Sequence, residues 1–234
     1  MNISLIIFCF NEAGSIGALI EASNLFLTSF SNDFELIVVD DGSTDSTSEI
    51  LKKYTSIERI KIIKHDYNKG IGEALQTGYN IASKEYICAI PGDGQFDITE
   101  LNKVSKFENT TYYSFYRITT NYSSYRAALT WLNRLFNQHI LGIYIRDVNW
   151  VKVYRKEQLK LVSPRLRSSL VESEICAKLY KCKIMPIEIP SNYLIRKFGI
   201  SKGGSWKTLK KAVFEISNLV WVIKKFKSPK QFNK

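Results

Sequence analysis

Four short apolar runs, at 4–10, 34–39, 59–64 and 86–90, alternate with segments of helical spacing at 14–30, 43–54 and 70–82. Apart from the basic residues of 59–64, the runs are largely apolar rather than apolar at every second residue, so their strands are expected to be buried on both faces. Strands of that kind, joined by ten-to-fifteen-residue helices, predict a mostly parallel sheet covered by helices on each side. In such sheets ligands bind beyond the carboxyl ends of the strands. Three of those ends here read Asn11-Glu12, Asp40-Asp41 and Asp93. A row of acidic strand ends along one edge suits a cation, or the ribose and base of a nucleotide.

The second half is less regular. Strands are expected at 111–117, 148–154 and 183–189, and helices at 126–141 and 170–180. The first of these helices carries Leu129, Leu132, Leu135, Phe136 and Ile140 as an apolar face. A loop over 192–205 leads into a long helix at about 205–226, whose stripe is Leu209, Val213, Ile216, Val220 and Ile223, widened by Phe214 and Trp221. Residues 1–205 are expected to form the α/β domain, and 206–234 a basic amphipathic helix and tail.

Charge is distributed unevenly. Of 33 Lys and Arg, eleven fall between Arg196 and Lys234, facing a single acid, Glu215. The remaining 22 basic residues nearly balance 21 acidic ones, so the tail carries +10 of the net charge of +11. A basic block of this kind points to an anionic partner, or to a solvated tail that keeps the chain soluble. The folded part lacks a basic–aromatic platform, and no nucleic acid is expected. Cys9, Cys88, Cys176 and Cys182 form no C-x-x-C pair and read as reduced, buried thiols. MNISLIIFCFNE has no basic leader, and no run reaches the ~18–20 apolar residues of a membrane span, so a cytoplasmic location is expected.

In LIVVDDGSTDST, capping explains Ser43, Thr44 and Asp45. It does not explain adjacent carboxylates, which repel, so a binding role is assigned to at least one of Asp40 and Asp41. The first turn, FCFNEAGSIGAL, is not GxGxxG, and it aims Asn11-Glu12 where a pyrophosphate would sit. Dinucleotide and P-loop cradles are therefore set aside. In IPGDGQFD, Asp93 ends a buried run with Gln95 beside it, while Asp97 suits a helix cap. His65 and His139 are expected to be structural.

The series IIFCFNEAGSI, LIVVDDGSTDST, NKGIGEALQTGY and PGDGQFDITEL, in that order, resembles glycosyltransferase family 2. Within it, the chain is similar to the dolichol-phosphate mannosyltransferase-like branch and its bacterial polyprenyl-phosphate and polysaccharide relatives. The likeness continues through DVNWVKVYRKE, ESEICAKLYK and IRKFGISKGG, covering residues 3 to about 205. It implies the GT-A fold and inverting transfer of a sugar from a UDP- or GDP-sugar to a polyprenyl phosphate or lipid-linked saccharide.

The resemblance also implies roles for residues. Phe8, Phe10, Asn11, Glu12, Asp40, Asp41, Asn68, Lys69 and Gly70 fall at nucleotide-contacting positions. Asp93 and Gln95 fall where a divalent ion, Mg²⁺ or Mn²⁺, is held. Asp93, Asp147 and Glu174 fall at catalytic positions, Asp147 standing as a base or as a partner for Arg117 or Arg146. Arg196, Ser201 and Lys202 fall on a loop suited to a diphosphate or an acceptor phosphate. The chain departs from the pattern at Pro91, where relatives place a first metal carboxylate, and at Phe8, where they often have Pro. Two other functions stay open: a non-catalytic nucleotide-sugar-binding or scaffold protein, and a nucleotidyltransferase. The C-terminal helix is expected on an anionic membrane surface at the cytoplasmic face, where a lipid-linked acceptor would lie.

Overall fold

A computed structural model describes residues 1–104, 110–118, 124–198 and 206–229. Ser201 and Lys202 lie outside the described residues, as does the side chain of Leu209. The expected parallel sheet is present. It begins β1 (Ile3–Cys9), α1 (Ile16–Phe30), β2 (Phe34–Asp40), α2 (Thr47–Lys52), β3 (Ile60–Lys64), α3 (Ile71–Ile81), β4 (Tyr86–Pro91). After a 3₁₀ turn at Ile98–Lys103 come β5 (Thr111–Arg117), α4 (Ser124–Leu141), β6 (Lys152–Arg155), α5 (Lys156–Val162), α6 (Val171–Lys181), β7 (Met185–Ser191) and α7 (Trp206–Lys225).

The seven strands lie in the order β3-β2-β1-β4-β6-β5-β7. Every neighbouring pair is parallel except the two made by β6. The carboxyl ends of β2, β1, β4, β5 and β7 thus share one edge with the amino end of β6. Along that edge stand Asp41, Glu12, Asp93, Lys152, Arg117 and Tyr193, in spatial order.

Two apolar layers sandwich the sheet, as the unbroken runs require. Ile6, Val39, Ala89 and Tyr154 pack against α3, α5 and α6 on one face. Leu5, Ile7, Val38 and Ile90 pack against α1, Phe96 and Trp150 on the other. The final helix joins the first layer through Leu219 and Ile223, and Lys181 Nζ caps its carboxyl end by donating to the carbonyls of Ile223 and Phe226.

Two expectations fail locally. The strand expected at 148–154 is shorter, because residues 145–151 bend along the sheet edge before β6 begins at Lys152. The apolar face expected to anchor α4 is turned partly outward: Leu132 and Ile140 are exposed and Asn137 is buried.

Candidate active site

Most of the sequence-nominated residues meet in one cavity of about 870 Å³ at the carboxyl edge of the sheet. Phe8, Phe10, Glu12, Asp41 and the loop Asn68–Gly70 form part of its wall. Asp93, Gln95, Asp147 and Arg196 form another part.

The acidic doublet divides its work. Asp40 is fully buried, accepts from Ser43 N at 2.9 Å and Ser48 Oγ at 2.5 Å, and is absent from the cavity wall. Its expected nucleotide contact is thereby corrected: the carboxylate closes its own turn. Asp41, one residue on, points to the opposite side, as neighbours on an extended chain do. It accepts from Lys69 N at 3.0 Å and Gly70 N at 2.8 Å, and His65 Nδ1 lies 2.7 Å away. The far nitrogen of His65 meets Thr77 Oγ1 at 2.9 Å. Asp41 therefore fixes the loop that enters α3, and His65 fixes Asp41. Gly42 allows the close approach, since a Cβ there would lie 2.3 Å from the Tyr67 backbone at a φ of +71°.

Asn11 takes the left-handed conformation, φ 56°, which asparagine tolerates. Its amide clasps Thr44, accepting from Thr44 N at 2.8 Å, and it too is absent from the cavity wall. Asn11 thus braces the β1 turn against the β2 turn.

Arg196 arrives from the far end of the chain. It donates from Nη2 to both Glu12 oxygens, at 2.6 and 2.7 Å, and from Nη1 to Asp93 at 3.3 Å. Its Nε donates to Phe198 O at 2.6 Å, and the Phe198 ring lies where a Cβ on Gly14 would stand, 2.6 Å from it. Burial pushes the Asp93 carboxyl up, against the opposing pull of the Gln95 N–H and Arg196.

Among the described residues no three His, Cys, Asp or Glu converge as a ready metal site. Asp93 and Gln95 nevertheless fit a hard divalent ion that takes its other oxygens from a diphosphate and water. The Arg196 guanidinium is a stand-in cation where Glu12 and Asp93 converge. Gln95 spends its amide N–H on Leu194 O at 3.3 Å, so its carbonyl is the atom able to coordinate.

Beyond β4 the cavity turns basic. Arg117 forms a two-point pair with Asp147, at 2.6 and 2.9 Å, and lies over the rings of Trp150 and Tyr193 at 4.7 and 5.5 Å. Arg134, Arg146 and Lys152 also line the cavity, and Arg167 lines it at the start of α3, where it pairs with Glu73 at 3.0 Å. Lys152 is buried 3.2 Å from Glu172, which accepts from Tyr79 at 2.6 Å and Tyr154 at 2.7 Å.

Glu174 is corrected outright as a catalytic candidate. It is fully buried off the cavity, accepting from Arg165 N, Leu166 N and Lys178 Nζ, the last at 2.5 Å. Two residues apart on a helix point roughly 200° away from each other, so Glu172 faces the cavity and Glu174 does not. Sequence reasoning missed the cavity roles of Arg134, Arg167 and Lys152. No local motif marks them. His65 had a usable signal in its place at a strand end next to the acidic doublet.

The sheet order, with a cavity at the carboxyl edge, is that of a GT-A domain. The solved glucosyl-3-phosphoglycerate synthase of Mycobacterium tuberculosis, determined with Mn²⁺, UDP-glucose and phosphoglyceric acid, has this fold. It matches with a TM-score of 0.67 over 97% of this chain and 80% of its own, at 15% identity. The family model for Glycosyl transferase family 2 matches residues 4–160, and the chain belongs to that family.

Among curated relatives, the dodecaprenyl-phosphate galacturonate synthase of Rhizobium johnstonii is 27% identical over 90% of this chain and 64% of its own length. The UDP-Glc:alpha-D-GlcNAc-diphosphoundecaprenol beta-1,3-glucosyltransferase WfaP of Escherichia coli is 31% identical over 53% of this chain and 45% of its own. The chain thus spans less than two thirds of the length of these relatives.

Proposed function

We propose that this chain transfers a sugar, with inversion, from a UDP- or GDP-sugar to a polyprenyl phosphate or a lipid-linked saccharide. One observation carries the reading: the carboxylates Glu12, Asp41 and Asp93 and the cations Arg117, Arg134 and Lys152 line one cavity at the carboxyl edge of the sheet. Acceptor-only carboxylates suit the hydroxyls and N–H groups of a nucleoside. Guanidinium groups suit the phosphate of an acceptor. Both relatives described above carry a polyprenyl phosphate or diphosphate in their names.

In that reading the Asn68–Gly70 loop, fixed by Asp41, closes on the nucleoside. Asp93 and Gln95 hold Mg²⁺ or Mn²⁺, which when bound offsets the charge of the departing nucleotide. Arg117, oriented by Asp147, places the acceptor oxygen for attack on the anomeric carbon, and the bond to the diphosphate breaks with its electrons leaving on the nucleotide. A phosphate acceptor is already anionic, so positioning suffices and Asp147 serves Arg117. A hydroxyl acceptor needs a base, and Asp147 is the carboxylate beside Arg117, whereas Glu172 is held by Lys152, Tyr79 and Tyr154.

The acceptor's lipid suggests contact with an anionic membrane surface. No helix among the described residues is long and apolar enough to cross a membrane. Val213, Phe214 and Trp221 are nonetheless exposed on α7, as are Trp131, Leu132 and Ile140 on the neighbouring α4. Lys210, Lys224 and Lys225 flank the α7 group. This arrangement supports a helix lying in the membrane interface.

The test is a panel of UDP- and GDP-sugars with Mn²⁺ and undecaprenyl phosphate or a lipid-linked saccharide. Sugar-lipid product with release of nucleoside diphosphate is the expected result. Release of pyrophosphate would instead identify a nucleotidyltransferase, and nucleotide binding without turnover a non-catalytic binder.

A further inference from the structure

α4 turns part of its apolar face outward and part of its polar face inward. Trp131, Leu132 and Ile140 are 60%, 55% and 57% exposed, whereas Asn137 is 1% exposed. Thr130, Asn133, Arg134 and Asn137, spaced i, i+3, i+4 and i+7, share one stripe, and that stripe lines the cavity. A helix that packs on a core buries the opposite residues. This one packs on the core through Phe136 and Leu141, yet presents a hydroxyl, two amides and a guanidinium to the cavity.

Asn137 supplies a second, independent observation. Its Nδ2 donates to Asn133 O at 2.7 Å and Asn133 Oδ1 at 3.2 Å, which fixes the orientation of the amide. Its Oδ1 is buried without a hydrogen-bond partner among the described residues. A buried carbonyl left unpaired disfavours the free protein, and such groups call for a specific explanation. α4 joins β5 to β6, which places it on the Arg117 side of Asp93 and away from the Asp41 turn.

We propose that this stripe is a hydroxyl-reading subsite for a sugar ring. Asn137 Oδ1 accepts from a sugar hydroxyl or acetamido N–H, with Thr130, Asn133 and Arg134 around it. The inference rests on the transferase reading and supplies the sugar-recognition element that reading lacks. An ionised phosphate offers acceptor oxygens only, so a bare polyprenyl phosphate leaves Asn137 Oδ1 unpaired. A sugar ring satisfies it, whether on the donor or on a lipid-linked acceptor.

Asn137→Leu and Asn137→Ala test the proposal. Calorimetry with UDP, UDP-glucose, UDP-N-acetylglucosamine, GDP and GDP-mannose, each with Mn²⁺, reads the donor arm. The KM for undecaprenyl phosphate against that for N-acetylglucosaminyl-diphosphoundecaprenol reads the acceptor arm. Both variants should bind UDP and GDP as the wild type does. They should lose about tenfold either in nucleotide-sugar affinity, if the subsite reads the donor, or in KM for the saccharide lipid alone, if it reads the acceptor. The Leu variant should melt no lower than wild type, because it removes an unpaired carbonyl, and the Ala variant shows that added bulk is not the cause.

Variants that handle both sugar classes like wild type overturn the proposal, as does a lowered melting temperature with unchanged binding. A wild-type protein that binds no nucleoside diphosphate would remove the transferase reading, and this inference with it.

Discussion

Arg196 and Glu12 are 184 residues apart in the chain, yet both Glu12 oxygens lie within 2.7 Å of Arg196 Nη2. The same guanidinium reaches Asp93 from Nη1. One side chain thus neutralises two carboxylates that a metal and a nucleotide are expected to use. Arg196→Gln should let Mn²⁺ bind about tenfold more tightly without nucleotide, since one positive charge leaves the site. Electron paramagnetic resonance titration of free Mn²⁺ checks this. Equal affinity in both proteins would mean that Arg196 does not share the metal's place.

His65 touches no cavity wall but holds Asp41, which holds the Lys69 and Gly70 amides. His65→Ala should raise the Kd for a nucleoside diphosphate about tenfold, because the loop loses its fixed geometry. Calorimetry at constant Mn²⁺ measures it. A drop in stability with unchanged Kd would leave His65 a core residue only.

Glu174 should behave as structure, not chemistry. Glu174→Gln leaves Lys178 buried without its carboxylate and should cost about 3 kcal/mol of stability. Urea unfolding measures this. Turnover per folded molecule should stay within a few-fold of wild type, and a loss of a hundredfold or more would restore Glu174 as a catalytic candidate.

Acid should unfold the protein partly through Glu35. Burial pushes this carboxyl up, but hydrogen bonds from Lys61, Ser4 and Ser83 outweigh it and hold it down, from the usual 4.5 to about 2. A depressed folded value means that the stabilisation is present above pH 4.5 and is lost as pH falls toward 2. The contribution is about 2 kcal/mol once the half-exposed Lys61 is discounted for solvent. In Glu35→Gln, thermal melts should show lower stability at pH 7 and a flatter decline between pH 4.5 and 2. A decline as steep as wild type would contradict the assignment.

The strands and the acidic edge were legible because unbroken apolar runs allow little but a doubly covered parallel sheet. Glu12, Asp41 and Asp93 stand at its edge because each follows such a run. Within each pair the expectation and the structure part. Asp40 and Asp41 are both expected at the nucleotide, and only Asp41 lines the cavity. Glu174 is expected to be catalytic, and Glu172 lines the cavity instead. Asp40 against Asp41 is decided by the pleat, and Glu172 against Glu174 by helical phase. α4 was misread for a related reason: periodicity identifies an apolar stripe but not the side on which the core lies. The Arg196 clamp left no local trace, since its partners follow the first and fourth strands.

The claim on which the rest depends is that Asp93 anchors a metal-bridged nucleotide diphosphate. Calorimetric titration of UDP and GDP, with and without Mn²⁺, into wild type and Asp93→Ala tests it directly. Mn²⁺ should tighten wild-type binding of one nucleotide at least about tenfold and leave the variant's affinity unchanged. Equal enhancement in both proteins, or binding indifferent to metal, would contradict it.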